Sequence, residues 1–203
     1  LPDPEVFGES LKPTVAFKGT TSGEDWMNNL QQGIGLESEY YRRAVRIGRR
    51  LKRHQAQVAL AGHSLGGGMA SAASRVSDLP AFTYNAAGIR KKTVRSGMSQ
   101  SAMPTPANIV AYRVKDEILA GAHEPGLKTA AALAGVGALA GGAAGALLGV
   151  GGVFLIGKLM PDIAGTPHEL PGQGNPLERH GMDQVISGIE QQIDEDQAVL
   201  REA

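Results

Sequence analysis

The order of apolar and polar residues along the chain predicts strands that alternate with helices. Predominantly apolar runs, too short for most helices, occupy residues 14–17, 57–62, 81–88 and 107–114. Nearly continuous apolar strands are typical of a parallel sheet that is buried on both faces. We therefore predict an α/β fold in which helices flank a mostly parallel sheet.

Helical periodicity is strongest over residues 38–54, and a shorter helix is predicted over residues 24–34. The apolar positions that share one face of the longer helix are Tyr41, Ala44, Val45, Gly48 and Leu51. Its other face carries Arg42, Arg43, Arg46, Arg49, Arg50, Lys52 and Arg53. Such a charge run is either a solvated helix face or a surface that meets anionic lipid head groups.

The last part of the chain reads as a loop followed by a helix. Beyond Pro161, prolines and glycines are spread through polar residues, which is typical of loop structure. An amphipathic helix is then predicted, with its apolar stripe formed by Met182, Val185, Ile186, Ile189 and Ile193.

An uncharged, glycine-rich segment at residues 129–157 interrupts the alternation. It is longer than the about 20 residues that cross a bilayer. Glycine recurs at every fourth position from Gly137 to Gly149, a spacing that lets helices pack closely. Glycine destabilises a helix that is not packed against other structure. We therefore expect this segment to belong to an insertion over residues 121–160 that forms a lid, a membrane-contacting hairpin or a buried element. We prefer these three possibilities to a transmembrane span.

Length and composition limit the kinds of protein that this chain can be. The 203 residues predict a single domain over residues 1–203. The charges of the 20 basic and 20 acidic residues cancel. One Trp, four Tyr and four Phe offer few rings for base stacking. Nucleic acid is therefore not an expected partner. Cysteine is absent from the chain. Residue 1 is leucine and no signal-peptide pattern follows it, so we expect no signal peptide in this chain.

The most informative motif is Gly-His-Ser-Leu-Gly at residues 62–66. It follows the predicted strand at residues 57–62 and precedes an Ala- and Ser-rich helical pattern. A serine at such a sharp strand-to-helix turn presents its hydroxyl, and the flanking glycines let the strand and the helix pack closely. A chain with 28 glycines can produce the motif by chance, but its context agrees with a nucleophile elbow. We predict Ser64 as the nucleophile of a serine hydrolase.

A serine nucleophile needs a histidine as base and a carboxylate that orients the histidine. In this fold the histidine comes last in the chain, which favours His180 over His168. The acid is expected at the carboxyl end of a strand. The strand at residues 107–114 is followed by Asp116 and Glu117, and position alone does not separate these two carboxylates.

Two motifs together resemble the class 3 lipases of the α/β hydrolases, including bacterial secreted lipase and phospholipase effectors. The first is Val-Ala-Phe-Lys-Gly-Thr at residues 15–20, followed by Asp-Trp at residues 25–26, and the second is Gly-His-Ser-Leu-Gly-Gly at residues 62–67. The likeness covers residues 13–120 and the region around His180. It implies an α/β-hydrolase-type fold.

The resemblance also implies roles for individual residues. Thr20 and the backbone N–H of Leu65 would be the oxyanion-hole donors. The acid position of the family falls on Glu117, with Asp116 as the alternative, although aspartate is the commoner acid there. The implied chemistry is a Ser-His-acid triad that needs no metal and no organic cofactor.

An ester hydrolase with a long apolar segment suits lipid acyl chains, since burial stabilises each CH₂ by about 0.8 kcal/mol. We therefore predict a lipase or phospholipase that contacts a membrane surface. The likeness to bacterial effectors implies a toxin that is secreted or delivered to a target cell, with an immunity protein as a partner. Two alternatives remain: a membrane-inserting toxin module with a non-essential triad, and a soluble esterase or acyltransferase.

Overall fold

The computed structural model describes residues 12–19, 39–89, 108–119 and 163–202. Its strands are β1 (Thr14–Phe17), β2 (Ala59–His63), β3 (Ala81–Tyr84), β4 (Ile109–Val114) and β5 (Thr166–Leu170). Its helices are α1 (Glu39–Arg53), α2 (Leu65–Ser77) and α3 (Met182–Glu202), with a 3₁₀ helix at Glu178–His180 ahead of α3. The five strands form one sheet in the order β1-β2-β3-β4-β5. The predicted α/β fold, a parallel sheet flanked by helices, is confirmed.

The chain divides into two compact units. The first comprises residues 1–111 and 161–167, and the second comprises residues 112–160 and 168–203. The organisation as a single hydrolase domain therefore stays a prediction.

In the first unit, β2 pairs in parallel with β1 on one side and with β3 on the other. Thr14 lies opposite Ala59, and Leu60 lies opposite Ala81. Helix α2 packs on these strands, and α1 packs on α2. The core between them consists mainly of small and β-branched side chains, including Ala44, Val45, Leu60, Ala70, Ala72, Ala73, Val76 and Ala81.

The predicted apolar face of α1 is confirmed. Ala44, Val45 and Gly48 are buried, and Tyr41 and Leu51 are partly buried against the same core. The arginines lie on the opposite side of the helix, because the helical repeat of 3.6 residues places them away from the core.

Strand β5 corrects the prediction that the chain beyond Pro161 is a loop. Four of its five residues are exposed and only Leu170 is buried, so the apolar alternation that signals a strand is missing. Pro167 also lowers the expectation of a strand, yet proline is tolerated at the edge of a sheet. Because β5 is last in the strand order, it occupies such an edge.

Two further predictions are corrected in detail. The run at residues 81–88 is a strand only as far as Tyr84, because Asn85 takes a positive φ of 42° that ends the extended backbone. In α3, Val185 is fully buried, but Ile186 and Ile193 are 51% and 50% exposed. Of the five residues of the predicted stripe, Val185 alone is buried.

Two predicted elements lie outside the described residues: the helix at 24–34 and the glycine-rich segment at 129–157, with the insertion at 121–160 that contains it. Within the ranges that the structure describes, no helix is both long and apolar enough to cross a bilayer.

Candidate active site

Ser64 occupies the turn between β2 and α2 with a backbone conformation that serine seldom adopts. Its φ and ψ are 56° and −124°. A non-glycine residue in such a region is strained by about 1–3 kcal/mol, and the strain persists only where the surrounding structure imposes it. A sharp, strained turn from a strand into a helix is the backbone geometry that a nucleophile elbow requires.

Backbone hydrogen bonds impose this conformation. The N–H of Ser64 donates to the carbonyl of Tyr84 at 3.0 Å, at the end of β3. The carbonyl of Ser64 accepts from Gly68 at 3.1 Å, in the first turn of α2, and from Ala87 at 3.0 Å. Both backbone groups of Ser64 are therefore fixed by segments that follow it in the chain.

Glycine is required at Gly62 and Gly66 by close backbone approach. A Cβ on Gly62 would overlap the carbonyl of Gly66, and a Cβ on Gly66 would overlap the carbonyl oxygen of Phe17. Strand β1, strand β2 and helix α2 meet at this point with no room for a side chain. The motif is thus explained by packing as well as by chemistry.

We expect Gly66→Ala to lower the free energy of unfolding by about 1–2 kcal/mol. Because the overlap is with a backbone atom, the carbonyl oxygen of Phe17, the forced shift costs about 2–3 kcal/mol, the upper part of the range for overpacking, which outweighs the about 1 kcal/mol that alanine gains over glycine in a helix. Urea denaturation measures the difference. Ser187→Ala, at an exposed position of α3, is the control, and equal stability of the two variants would contradict the packing argument.

Tyr41 supports the same turn from α1. Its hydroxyl donates to the carbonyl of Gly88 at 3.3 Å, and it lies so close to Gly68 that a Cβ there would overlap it. Burial raises the pKa of Tyr41, so the hydroxyl stays protonated and remains a donor at neutral pH.

Of the two predicted oxyanion-hole donors, Leu65 lies within the described residues. Leu65 is the first residue of α2, where backbone N–H groups have no partner inside the helix and attract negative charge. Thr20 lies outside the described residues. Its neighbour Gly19 lies against the elbow, since a Cβ on Gly19 would be 2.7 Å from the carbonyl oxygen of His63 and 3.4 Å from the amide nitrogen of Gly66.

His180 and Glu117 form a buried pair in the second unit. The Nδ1 atom of His180 lies 2.7 Å from Oε2 of Glu117, and the two residues are 6% and 0% exposed. The same carboxylate oxygen accepts a hydrogen bond from the N–H of Leu119 at 2.9 Å. An ionised carboxylate can only accept hydrogen bonds, so Nδ1 is the donor of this pair. In a neutral imidazole the lone pair then lies on Nε2.

A turn after β4 presents Glu117. Asp116 adopts a positive φ of 58°, and the N–H of Glu117 donates to the carbonyl of Val114 at 3.2 Å. The next residue, Ile118, donates its N–H to the carbonyl of Pro176 at 3.0 Å. This bond connects the turn of the acid to the segment that carries the histidine.

A capping box presents His180. The side-chain oxygen of Asn175 accepts from the N–H groups of Leu177 and Glu178, both at 3.0 Å, and the carboxylate of Glu178 accepts from the N–H of Asn175 at 2.8 Å. This reciprocal pattern stabilises the start of a short helix. This capping box was not predicted, although Asn followed by Glu three residues later is its signal in the sequence.

The other predicted candidates occupy different surroundings. Asp116 has a side chain that is 66% exposed and lies 3.5 Å from the guanidinium of Arg179. His168 is exposed on β5, where its ring lies 5.4 Å from that of Tyr112. Of the two alternative acids and the two alternative bases, the structure brings Glu117 and His180 together.

Arg179 is a further residue of this region that the sequence analysis did not single out. Its Nη1 donates to the carbonyl of Lys115 at 2.9 Å, and its Nε donates to the carbonyl of Gly174 at 3.0 Å. The side chain thus bonds both the acid turn and the histidine loop. No sequence pattern signals such a contact, because its partners are backbone carbonyls, one of them 64 residues away.

A parallel sheet in which a strained serine joins a strand to the following helix defines an α/β-hydrolase-type fold. The chain order is also that of this class: the serine turn comes first, then the strand that ends near the buried acid, and then the histidine ahead of the last helix.

Comparison with known proteins gives the family. The family model of the Tle-like phospholipase domain matches residues 1–175, and the chain belongs to this family. An extracellular phospholipase A1 from Serratia liquefaciens is 33% identical over 99 residues, which cover 48% of this chain and 31% of that relative. The matched segment thus spans less than a third of the relative's length. The resemblance to bacterial secreted phospholipases is confirmed.

Proposed function

We propose that this chain is a phospholipase that hydrolyses carboxyl esters of membrane phospholipids, with Ser64 as its nucleophile. The observation that carries the proposal is the strained backbone of Ser64 at the start of α2, since strain of this kind is maintained mainly at functional sites. Membership of the Tle-like phospholipase family supports the same substrate class, as does the name of the Serratia relative.

In the proposed mechanism His180 is the base and Glu117 orients it. Nε2 of His180 takes the proton of the Ser64 hydroxyl while Oγ attacks the ester carbonyl carbon. The carbonyl oxygen becomes an oxyanion, and N–H of Leu65 and a donor from Thr20 stabilise it. Glu117 keeps Nδ1 protonated and stabilises the imidazolium that forms.

The tetrahedral intermediate then collapses and the ester C–O bond breaks. His180 returns its proton to the leaving alkoxide, so that lysophospholipid departs and the acyl group stays on Ser64. A water molecule, deprotonated by His180, attacks the acyl carbon in the second half of the reaction. Fatty acid is released and the serine regains its proton, so no metal or cofactor enters either step.

The biological setting is part of the proposal. A phospholipase of this family would be secreted or delivered to a target cell and would act there as a toxin on the membrane. A producing cell that is itself exposed would need an immunity protein as a partner.

Fatty-acid release from phospholipid vesicles tests the proposal. The wild type is expected to release fatty acid and lysophospholipid, whereas Ser64→Ala releases neither and causes no leakage of a trapped dye. Leakage that persists in Ser64→Ala would favour a membrane-inserting module instead. Faster turnover of short soluble esters than of vesicles would favour a soluble esterase or acyltransferase.

A further inference from the structure

The exposed side of α1 carries a dense set of arginines. Their spacing of three and four residues places them on one stripe, opposite the buried Ala44, Val45 and Gly48. We call this stripe the arginine face; it consists of the exposed residues Arg42, Arg46, Arg50 and Arg53.

The charges of this face are not balanced on the helix itself. Glu39 is the one acidic residue of α1, and it pairs with Arg43 at 2.7 Å. The hydrogen bond and charge of Arg43 lower the pKa of Glu39, with smaller contributions from the charges of Arg42 and Arg46, so a single carboxylate serves several guanidinium groups. In the described part of the chain, no carboxylate forms an ion pair with Arg42, Arg46, Arg50 or Arg53. Like charges at this spacing destabilise a helix, so an anionic partner would relieve the repulsion.

We propose that the arginine face binds the anionic surface of a phospholipid bilayer. Guanidinium groups match phosphate oxygens in a bidentate geometry that lysine lacks. Tyr40 and Ile47, 58% and 41% exposed, lie together along one side of the stripe and provide the apolar contact of an interfacial helix. The chain as a whole carries no net charge, so the attraction must be local. This proposal rests on the proposed function, which places the substrate in a membrane.

Sedimentation with vesicles tests the arginine face, and Ser64→Ala is used throughout so that no lipid is consumed. We add three substitutions together to this Ser64→Ala background: Arg46→Gln, Arg50→Gln and Arg53→Gln. The matched control replaces three exposed cations elsewhere, Lys12, Lys115 and Arg201, by glutamine with the same loss of charge. Vesicles of phosphatidylcholine alone and mixed with phosphatidylglycerol are compared at low and high salt.

Each cation near an anionic surface contributes about five-fold to partitioning. The arginine triple variant is therefore expected to bind the mixed vesicles about 100-fold more weakly, while the control triple variant loses much less. Equal losses in the two variants would overturn the proposal, as would tighter binding of a DNA duplex through the same arginines. Because binding is measured without hydrolysis, it can fail or succeed independently of the phospholipase activity.

A second inference concerns Arg179, and different contacts carry it. Glu117 and His180 are 63 residues apart, so their short hydrogen bond depends on how two loops are held together. Arg179 precedes His180 and bonds the backbone of the Glu117 turn through Lys115. It also bonds its own loop through Gly174. One planar guanidinium thus fixes the spacing of the two loops.

We infer that Arg179 is a positioning residue that sets the geometry of His180 relative to Glu117. Its ion pair with Asp116 is long, at 3.5 Å, and its partner is largely exposed, so the bonds to carbonyls carry the role. A misplacement of about 1 Å in a catalytic group can cost about 100-fold in rate. Lysine keeps the charge, but its single nitrogen cannot occupy the two positions from which Nε and Nη1 donate to Gly174 and Lys115.

Kinetics with a soluble short-chain ester and proton NMR test this inference. We expect Arg179→Met to lower kcat by about 10- to 100-fold with KM unchanged, Arg179→Lys to recover little, and the downfield resonance of the His180 Nδ1 proton to weaken. Arg113→Met is the matched control, because Arg113 is a partly buried arginine with a 3.5 Å ion pair to Glu169.

A drop in thermal stability with kcat and the resonance unchanged would overturn the positioning role, as would full recovery in Arg179→Lys. If the wild type hydrolyses no ester, the proposed function fails, and the resonance still decides whether Arg179 holds His180 against Glu117.

Discussion

Replacing His180 by alanine is expected to lower kcat for phospholipid hydrolysis by about a million-fold, because a triad that loses its base loses nearly all of its advantage. The imidazole receives the serine proton and later returns it to the leaving group, and no other group can do both in one geometry. Binding of lipid should persist, so the loss falls on kcat. Initial rates of fatty-acid release from vesicles measure it.

His168→Ala is the control for this prediction. His168 was the alternative base in the sequence, and it is exposed beside the ring of Tyr112. We expect its removal to leave the rate unchanged. The assignment of the base is wrong if His168→Ala abolishes activity while His180→Ala retains it.

Glu117→Gln is expected to lower kcat by about 10,000-fold, a loss typical when the orienting acid of a triad becomes an amide. Glutamine fills the same space but carries no charge, and one oxygen of Glu117 faces both the N–H of Leu119 and Nδ1 of His180. With the amide nitrogen at that position, the imidazole carries its proton on Nε2, where the base needs a lone pair. With the amide oxygen there, Nδ1 stays protonated, but the imidazolium loses the negative charge that stabilises it.

Asp116→Asn is the matched change one residue earlier. The carboxylate of Asp116 is exposed and forms a 3.5 Å ion pair, so its loss removes little interaction energy. The rate should stay within a few-fold of the wild type, with thermal unfolding as a check on both variants. A large loss in Asp116→Asn and a small one in Glu117→Gln would exchange the roles of the two acids.

Much of the first unit was predictable because its signals are local. The apolar strands, the basic helix and the glycines of the elbow each follow from a few consecutive residues. The pentapeptide at residues 62–66 is the clearest case, since strain at Ser64 and contact at Gly62 and Gly66 leave little choice of sequence.

The parts that sequence did not predict depend on contacts between distant segments. Strand β5 is exposed at an edge, so it shows no apolar alternation. Asp116 and Glu117 are adjacent in sequence, and only the turn after β4 decides which carboxylate meets His180. The family resemblance favoured Glu117, but the contact itself required the fold. Arg179 was missed because its partners are backbone carbonyls.

Labelling with a fluorophosphonate, which phosphonylates an activated serine, tests the central claim most directly. Intact mass and peptide mapping locate the adduct in the wild type and in His180→Ala. We expect a single adduct on Ser64 in the wild type and none in His180→Ala over the same time. Labelling of a different serine, or equal labelling of Ser64 in both proteins, would contradict the account.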